Sequence, residues 1–202
     1  MGRKLLAGIL GGIAFFAWSS IAHMVLPLGT TGVKEIDSAV EAPVMAAMQA
    51  NIHEHGLYLF PGLHVPANAN RAQQSAAMNA RMEKVGKGPS GLLIYHPVGD
   101  TGFGRMLLVE FSTNVVQIFL AVLLLGYTNL TSFAARWRFI SIAGVLACIS
   151  TNISYWNWYG FPGSYTLAYS FTILMGFVFA GLVAAAMMKP KPVASMAKAS
   201  VA

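Results

Sequence analysis

This chain carries little charge for its length. Only 10% of its 202 residues are Asp, Glu, Lys or Arg, whereas a soluble domain carries about 25%. Hydrophobic residues make up 56% of the chain. The shortage of charge argues against a water-soluble protein and favours a chain that is surrounded largely by lipid.

Cysteine and catalytic motifs are also scarce. Cys148 is the single cysteine, so neither an intramolecular disulfide nor a thiol metal cluster can form. The sequence has no CxxC pair, nucleophile elbow, His-Glu-x-x-His motif or phosphate-binding loop. It also has no inverted repeat of the kind that builds transporters. We therefore expect no cofactor and favour a protein that is not an enzyme, although enzyme activity stays open.

Long apolar runs are what the sequence does have. They cover residues 5–28, 106–127, 139–158 and 165–188. Each is about the 20 residues that an α-helix needs to cross roughly 30 Å of hydrocarbon. Because backbone polar groups in lipid must be satisfied within the segment, these runs predict spanning helices. The predicted fold class is all-α membrane, a bundle of four transmembrane helices.

The segment between the first two helices, residues 29–105, predicts a small α+β extracytoplasmic domain. Within it, 56–60 and 91–96 each combine glycine, aliphatic residues and an aromatic residue, and a proline follows each run. This pattern indicates two short strands that pair in one small sheet. Residues 44–52 and 72–84 indicate helices, the first beginning at Pro43. After the fourth helix, residues 189–202 predict a disordered cytoplasmic tail.

The basic residues indicate the orientation in the membrane. Segment 29–105 has six bases and six acids, whereas the remaining segments outside the helices carry bases and no acid. Those bases are Arg3, Lys4, Arg136, Arg138, Lys189, Lys191 and Lys198. The positive-inside rule then predicts both termini in the cytoplasm of a bacterial inner membrane. The formal net charge of +6 thus reflects topology and lipid contact, and we expect no nucleic-acid partner.

The first apolar run has a second interpretation. Arg3 and Lys4 precede it, and Ser20, Ile21 and Ala22 resemble a signal-peptide cleavage site. We favour a retained helix because the apolar run continues to Leu28.

Polar residues inside the predicted helices are the candidate site. The predicted cluster is His23, Glu110, Asn114, Gln117, Asn152 and Ser170. Glu110, Asn114 and Gln117 share one helical face by their i, i+4, i+7 spacing. By count, His23, Glu110 and Asn152 lie about 6–9 Å below the outer boundary at 1.5 Å per residue. A carboxylate in lipid normally finds a partner, so we expect Glu110 to bond His23 or Asn152. The layer serves either as interhelical hydrogen bonding, which we favour, or as a proton- or ligand-binding site.

The remaining histidines are His53, His55, His64 and His96, all in segment 29–105. These four histidines are the candidate metal ligands of the chain. Their spacing matches no zinc motif, so we predict no metal site.

Three motifs carry a resemblance to a known group of proteins. They are Ile21–Leu28, Gly91–Pro97 and Asn152–Pro162. In these motifs the chain resembles a group of uncharacterised small bacterial integral membrane proteins with four helices. The resemblance implies a bacterial inner membrane and this topology, and it implies no activity.

Two functional hypotheses follow from the sequence. The first is a non-catalytic integral subunit or accessory protein of a larger bacterial inner-membrane complex, of which respiratory and photosynthetic complexes are natural examples. Its partners are then the lipid bilayer and other integral subunits or a periplasmic protein. The alternative is a small membrane enzyme or sensor, with its polar site near the outer membrane face.

Overall fold

A computed structural model describes residues 2–188 of the chain. The predicted tail, 189–202, lies outside the described residues. The long helices are α1 (Gly2–Met24), α4 (Phe103–Leu125) and α7 (Gly163–Met187). A fourth helical segment, Phe133–Tyr159, consists of α5 (Phe133–Cys148), a π-helical turn (Ile149–Ile153) and α6 (Ser154–Tyr159). All four segments are long and apolar enough to cross a membrane, which confirms the prediction of a membrane protein.

Shorter elements connect α1 to α4. They are a 3-10 turn (Pro27–Gly29), α2 (Ser38–Asn51), β1 (Gly56–Phe60), α3 (Arg71–Lys87) and β2 (Gly91–Tyr95). The two strands pair antiparallel with Gly56 opposite Tyr95 and Phe60 opposite Gly91, which confirms the predicted sheet.

The helix α2 begins earlier than its sequence pattern suggested. The Asp37 side chain accepts a hydrogen bond from the Ala39 N–H and caps the helix there. Pro43 therefore lies inside the helix and not at its start. The helix α3 begins with a reciprocal capping box between Asn70 and Gln73.

The long helices pack in a defined order. The helix α1 lies against both α4 and α7, and α5 packs on α7, whereas α4 makes few contacts with α5 or α7. Glycine sets the closest approach. A Cβ at Gly12 would lie 2.5 Å from the Val115 Cα, and one at Gly8 would lie 2.8 Å from the Phe119 Cα. The spacing of Gly8 and Gly12 thus lets α4 approach the backbone of α1.

Small residues also line the buried face of α7. Ala168, Thr172, Gly176, Ala180 and Ala184 follow one another at every fourth position, and all are buried. The Phe15 ring of α1 packs directly on Gly176 and makes an edge contact with Phe177. The shape of α7 therefore lets large side chains of α1 fill the interface.

The chain divides into two compact units. The helical unit contains α1, α4, α5 and α7, and the small unit comprises Lys34–Thr101 with Asn157–Gly160. Every residue of the small unit lies within the described chain, and Tyr95 is the only one of them that is buried.

Candidate functional site

Glu110, Asn114 and Gln117 form one hydrogen-bonded chain along α4. The Asn114 amide Nδ2 donates to Glu110 Oε1 at 3.1 Å, and Gln117 Nε2 donates to Asn114 Oδ1 at 2.7 Å. Asn114 is 2% exposed, whereas Glu110 is exposed. The i, i+4, i+7 spacing places them on one face, where each amide reaches the side chain one turn before it. The result is a polar row that runs from an accessible carboxylate to a buried amide.

The predicted partner of Glu110 was wrong. Among residues 2–188, Glu110 accepts its side-chain hydrogen bond from Asn114 and not from His23 or Asn152. The neighbour one turn away on the same helix is already within reach, so no second helix is required. His23 is exposed, and its ring packs against Gly29, which lacks the Cβ that would block it.

Asn152 and Ser170 form a separate pair that joins two helical segments. The Asn152 Nδ2 donates to Ser170 Oγ at 3.0 Å, and Asn152 is 5% exposed. Cys148 Sγ donates to the Ser170 carbonyl oxygen at 3.2 Å. Asn152 lies in the π-helical turn, a local widening of the helix that is frequent at functional sites. Hydrogen bonds therefore divide five of the predicted residues into two groups, and His23 belongs to neither.

A row of stacked aromatic rings lies near these polar groups. Tyr155 stacks on Phe161 at 5.3 Å, Phe161 contacts Tyr165 at 5.6 Å, and Tyr165 stacks on Tyr169 at 5.7 Å between ring centroids. These contacts order the four rings into a row.

Arg136 is buried, which the sequence analysis missed. Its side chain is 7% exposed; Nε donates to the Ala185 carbonyl at 3.3 Å and Nη1 to the Thr131 carbonyl at 2.6 Å. The Ala185 carbonyl lies in the last turn of α7, where the carbonyls have no donor within the helix Gly163–Met187. Arg136 thus caps the end of α7. The sequence did place an arginine at the start of an apolar segment, but we interpreted it only as evidence for the orientation of the chain in the membrane.

Two tryptophans bind the backbone of α7 in a similar way. Trp18 Nε1 donates to the Thr172 carbonyl at 2.9 Å, and Trp137 Nε1 donates to the Val178 carbonyl at 3.2 Å. Because each indole N–H would be unsatisfied in an apolar interface, these bonds fix α1 and α5 on α7.

The structure brings together two of the four histidines of segment 29–105 that the sequence analysis considered as metal ligands. His55 and His96 stack at 5.3 Å between ring centroids, with 8° between their planes. His64 lies against Gly62 instead. Within residues 2–188, no group of three or more His, Cys, Asp or Glu side chains is arranged to hold a metal ion.

Comparison of the chain with family models, curated proteins and solved structures finds no match. The candidate site must therefore be interpreted from its own geometry.

Proposed function

We propose that this chain is a non-catalytic integral subunit or accessory protein of a larger bacterial inner-membrane complex. The observation that carries the proposal is the exposed aliphatic face of the two-stranded sheet in the small unit. Leu57 is 61% exposed and its cross-strand partner Ile94 is 66% exposed. Leu59, 44% exposed, pairs with Leu92 along the same face.

An isolated two-stranded sheet is marginally stable in water, and it needs another surface to cover its apolar face. The small unit supplies little of that cover because Tyr95 is its single buried residue. Exposed, contiguous apolar side chains of this kind mark interaction sites. A protein partner that packs on this face accounts for both observations.

The orientation that we propose rests on the basic residues of the helical unit. Lys4, near the start of α1, lies against Gly126 at the end of α4, with its Nζ 5.8 Å from the Tyr127 ring centroid. Arg136 binds the end of α7. These bases meet the C-terminal ends of two helices, where cations are favoured. The positive-inside rule makes this end cytoplasmic and the small unit periplasmic.

The experiment is isolation of the native complex in mild detergent, followed by native mass spectrometry. We expect the wild-type chain to copurify with other membrane chains at a fixed stoichiometry. The double variant Leu57→Thr/Ile94→Thr, which places a β-branched residue suited to strands at both positions, is expected to lose those partners. Val98→Thr is the control, since Val98 is 86% exposed but lies outside both strands.

Isolation of the wild-type chain alone from its native membrane, with full stability, would contradict the proposal. Partner binding that survives in the Leu57→Thr/Ile94→Thr variant would contradict the assignment of the sheet face. Circular dichroism on each variant separates loss of a partner from loss of the fold.

The second candidate function is a small membrane enzyme or sensor, which the hydrogen-bonded row from Glu110 to Gln117 favours. The row joins the exposed Glu110 carboxylate to the buried Asn114 amide, and an ionisable residue within a spanning helix is a candidate proton- or ligand-binding group. Glu110→Gln keeps a hydrogen-bonding side chain but removes the charge, whereas Glu110→Leu removes both.

These variants separate the two candidates by growth phenotype and by stability in detergent. A proton-handling site predicts that Glu110→Gln abolishes the phenotype while the protein stays folded. A structural role predicts that Glu110→Gln behaves as the wild type and that Glu110→Leu loses stability.

A further inference from the structure

His55 and His96 lie next to each other because of the sheet register. Gly56 pairs with Tyr95, so the residues one step beyond the strand ends, His55 and His96, face each other across the sheet. Their rings are stacked at a centroid distance of 5.3 Å and 8° from parallel. Both side chains are exposed, so they are accessible to solutes.

The backbone that carries these two residues is held in place. The Tyr58 hydroxyl donates to the Glu54 carbonyl at 2.9 Å, across the segment that contains His55. Tyr95, immediately before His96, is buried and makes an edge contact with the Tyr58 ring at 6.5 Å. The two tyrosines therefore hold the end of the sheet that carries both histidines. The imidazoles need only side-chain rotation to change their relative orientation.

Two imidazoles this close together can bind one late transition-metal ion between them. Imidazole suits Zn²⁺ and Cu²⁺, with Zn–N bonds of about 2.0–2.1 Å. Because both side chains are exposed, rotation about their side-chain bonds can turn one nitrogen of each toward a common ion. We propose that His55 and His96 form a two-histidine site for a divalent late transition-metal ion.

The site is an open one. Since no third His, Cys, Asp or Glu within residues 2–188 joins the pair, the ion keeps positions for water or for an external ligand. Such a site binds less tightly than a closed four-ligand zinc site, and its metal exchanges with solution. Binding also requires neutral imidazoles, so acid displaces the ion.

The test is metal titration of the full chain in detergent micelles, with any purification tag removed and bound metal stripped by a chelator. A Cys148→Ala background removes the only thiol. Isothermal titration calorimetry with Zn²⁺ is expected to give one ion per chain with micromolar affinity. His55→Ala and His96→Ala are each expected to weaken binding by about tenfold or more, the range typical for disturbed metal sites.

His53→Ala and His64→Ala are the matched controls, because both residues are exposed histidines of the same small unit outside the pair. Their affinity for Zn²⁺ is expected to equal that of the background. Electron paramagnetic resonance with Cu²⁺ is expected to show coordination by two imidazoles, reduced to one by either His55→Ala or His96→Ala. Mg²⁺, which prefers oxygen ligands, is expected not to bind.

The proposal is overturned if Zn²⁺ does not bind, or if all four variants weaken binding to the same extent. It is also overturned if His55→Ala and His96→Ala bind as tightly as the background. Circular dichroism establishes that each variant is folded, so a loss of binding cannot come from unfolding.

Discussion

At the scale of single residues, several polar side chains of the helical unit form hydrogen bonds that cross between helices. Within residues 2–188, no buried side-chain nitrogen or oxygen is left without a hydrogen-bond partner. Arg136, Trp18 and Trp137 all donate to backbone carbonyls of α7. These bonds are directional, so they fix the rotation and the depth of each helix relative to α7. Apolar packing alone would allow several rotations and depths.

The first prediction concerns Arg136. Arg136→Met should lower the free energy of unfolding by about 2–3 kcal/mol, because two carbonyls lose a charged donor. Chemical denaturation in detergent micelles measures the change. Arg138→Met is the control, since Arg138 is exposed and bonds only a carbonyl of its own helix. Equal effects of the two substitutions would show that burial of Arg136 is not what matters.

The second prediction concerns Ser170. Ser170→Ala removes the acceptor of the Asn152 amide, and interhelical bonds of this kind contribute about 0.6–1.7 kcal/mol in membranes. We expect a loss of unfolding free energy in that range, measured by the same denaturation. Ser150→Ala serves as the control because Ser150 is exposed and donates to the Ala147 carbonyl in its own helical segment. If Ser170→Ala unfolds at the same denaturant concentration as the wild type, the Asn152–Ser170 bond does not contribute to stability.

At the scale of elements, the helix order depends on where glycine permits close packing. The helix α1 contacts α4 through Gly8 and Gly12, and it contacts α7 through Phe15 on Gly176. The glycine that permits close packing lies on a different helix in each interface. In one, glycine on α1 admits the partner backbone, and in the other, glycine on α7 admits an α1 ring.

The third prediction concerns these interfaces. Gly12→Ala places a Cβ against the Val115 backbone, which cannot rotate away, so we expect a loss of about 1–3 kcal/mol of stability from overpacking. Thermal unfolding in detergent measures it. Gly104→Ala is the matched control, because a Cβ there meets nothing within 4 Å. Alanine is the better helix former, so the control should be neutral or slightly more stable. A stable Gly12→Ala protein would mean that α1 and α4 do not pack this closely.

At the scale of the whole molecule, the helical unit and the small unit differ in the number of residues that are buried. The helical unit has a core drawn from all four helical segments, including Phe15, Ile118, Ile140 and Phe177. The small unit has an exposed aliphatic sheet face. The proposal of a complex subunit depends on this contrast.

The fourth prediction concerns orientation. In intact bacteria carrying Cys148→Ala, a membrane-impermeant maleimide should label Ser75→Cys in α3 and should not label Asn129→Cys between α4 and α5. Both positions are exposed, so accessibility of the side chain is matched. Labelling is scored by mass shift, with lysed cells as the control in which both positions react. The reverse pattern would contradict the positive-inside assignment.

The sequence by itself determined the membrane environment, the four long helices and the two paired strands. These features depend on local properties, namely the length of apolar runs and the pattern of strand and turn residues, which need no knowledge of distant contacts. The shared face of Glu110, Asn114 and Gln117 was predictable for the same reason, since helical spacing sets it.

Only the tertiary structure decided which distant residues meet. Asn152 bonds Ser170 and not Glu110, and no spacing in the sequence distinguishes this partner from the predicted one. Arg136 is buried where it bonds Ala185, which lies 49 positions further along the chain. His55 stacks on His96, which lies 41 positions further along the chain and across the sheet. Such contacts follow from helix order and strand register, which packing of the whole chain sets.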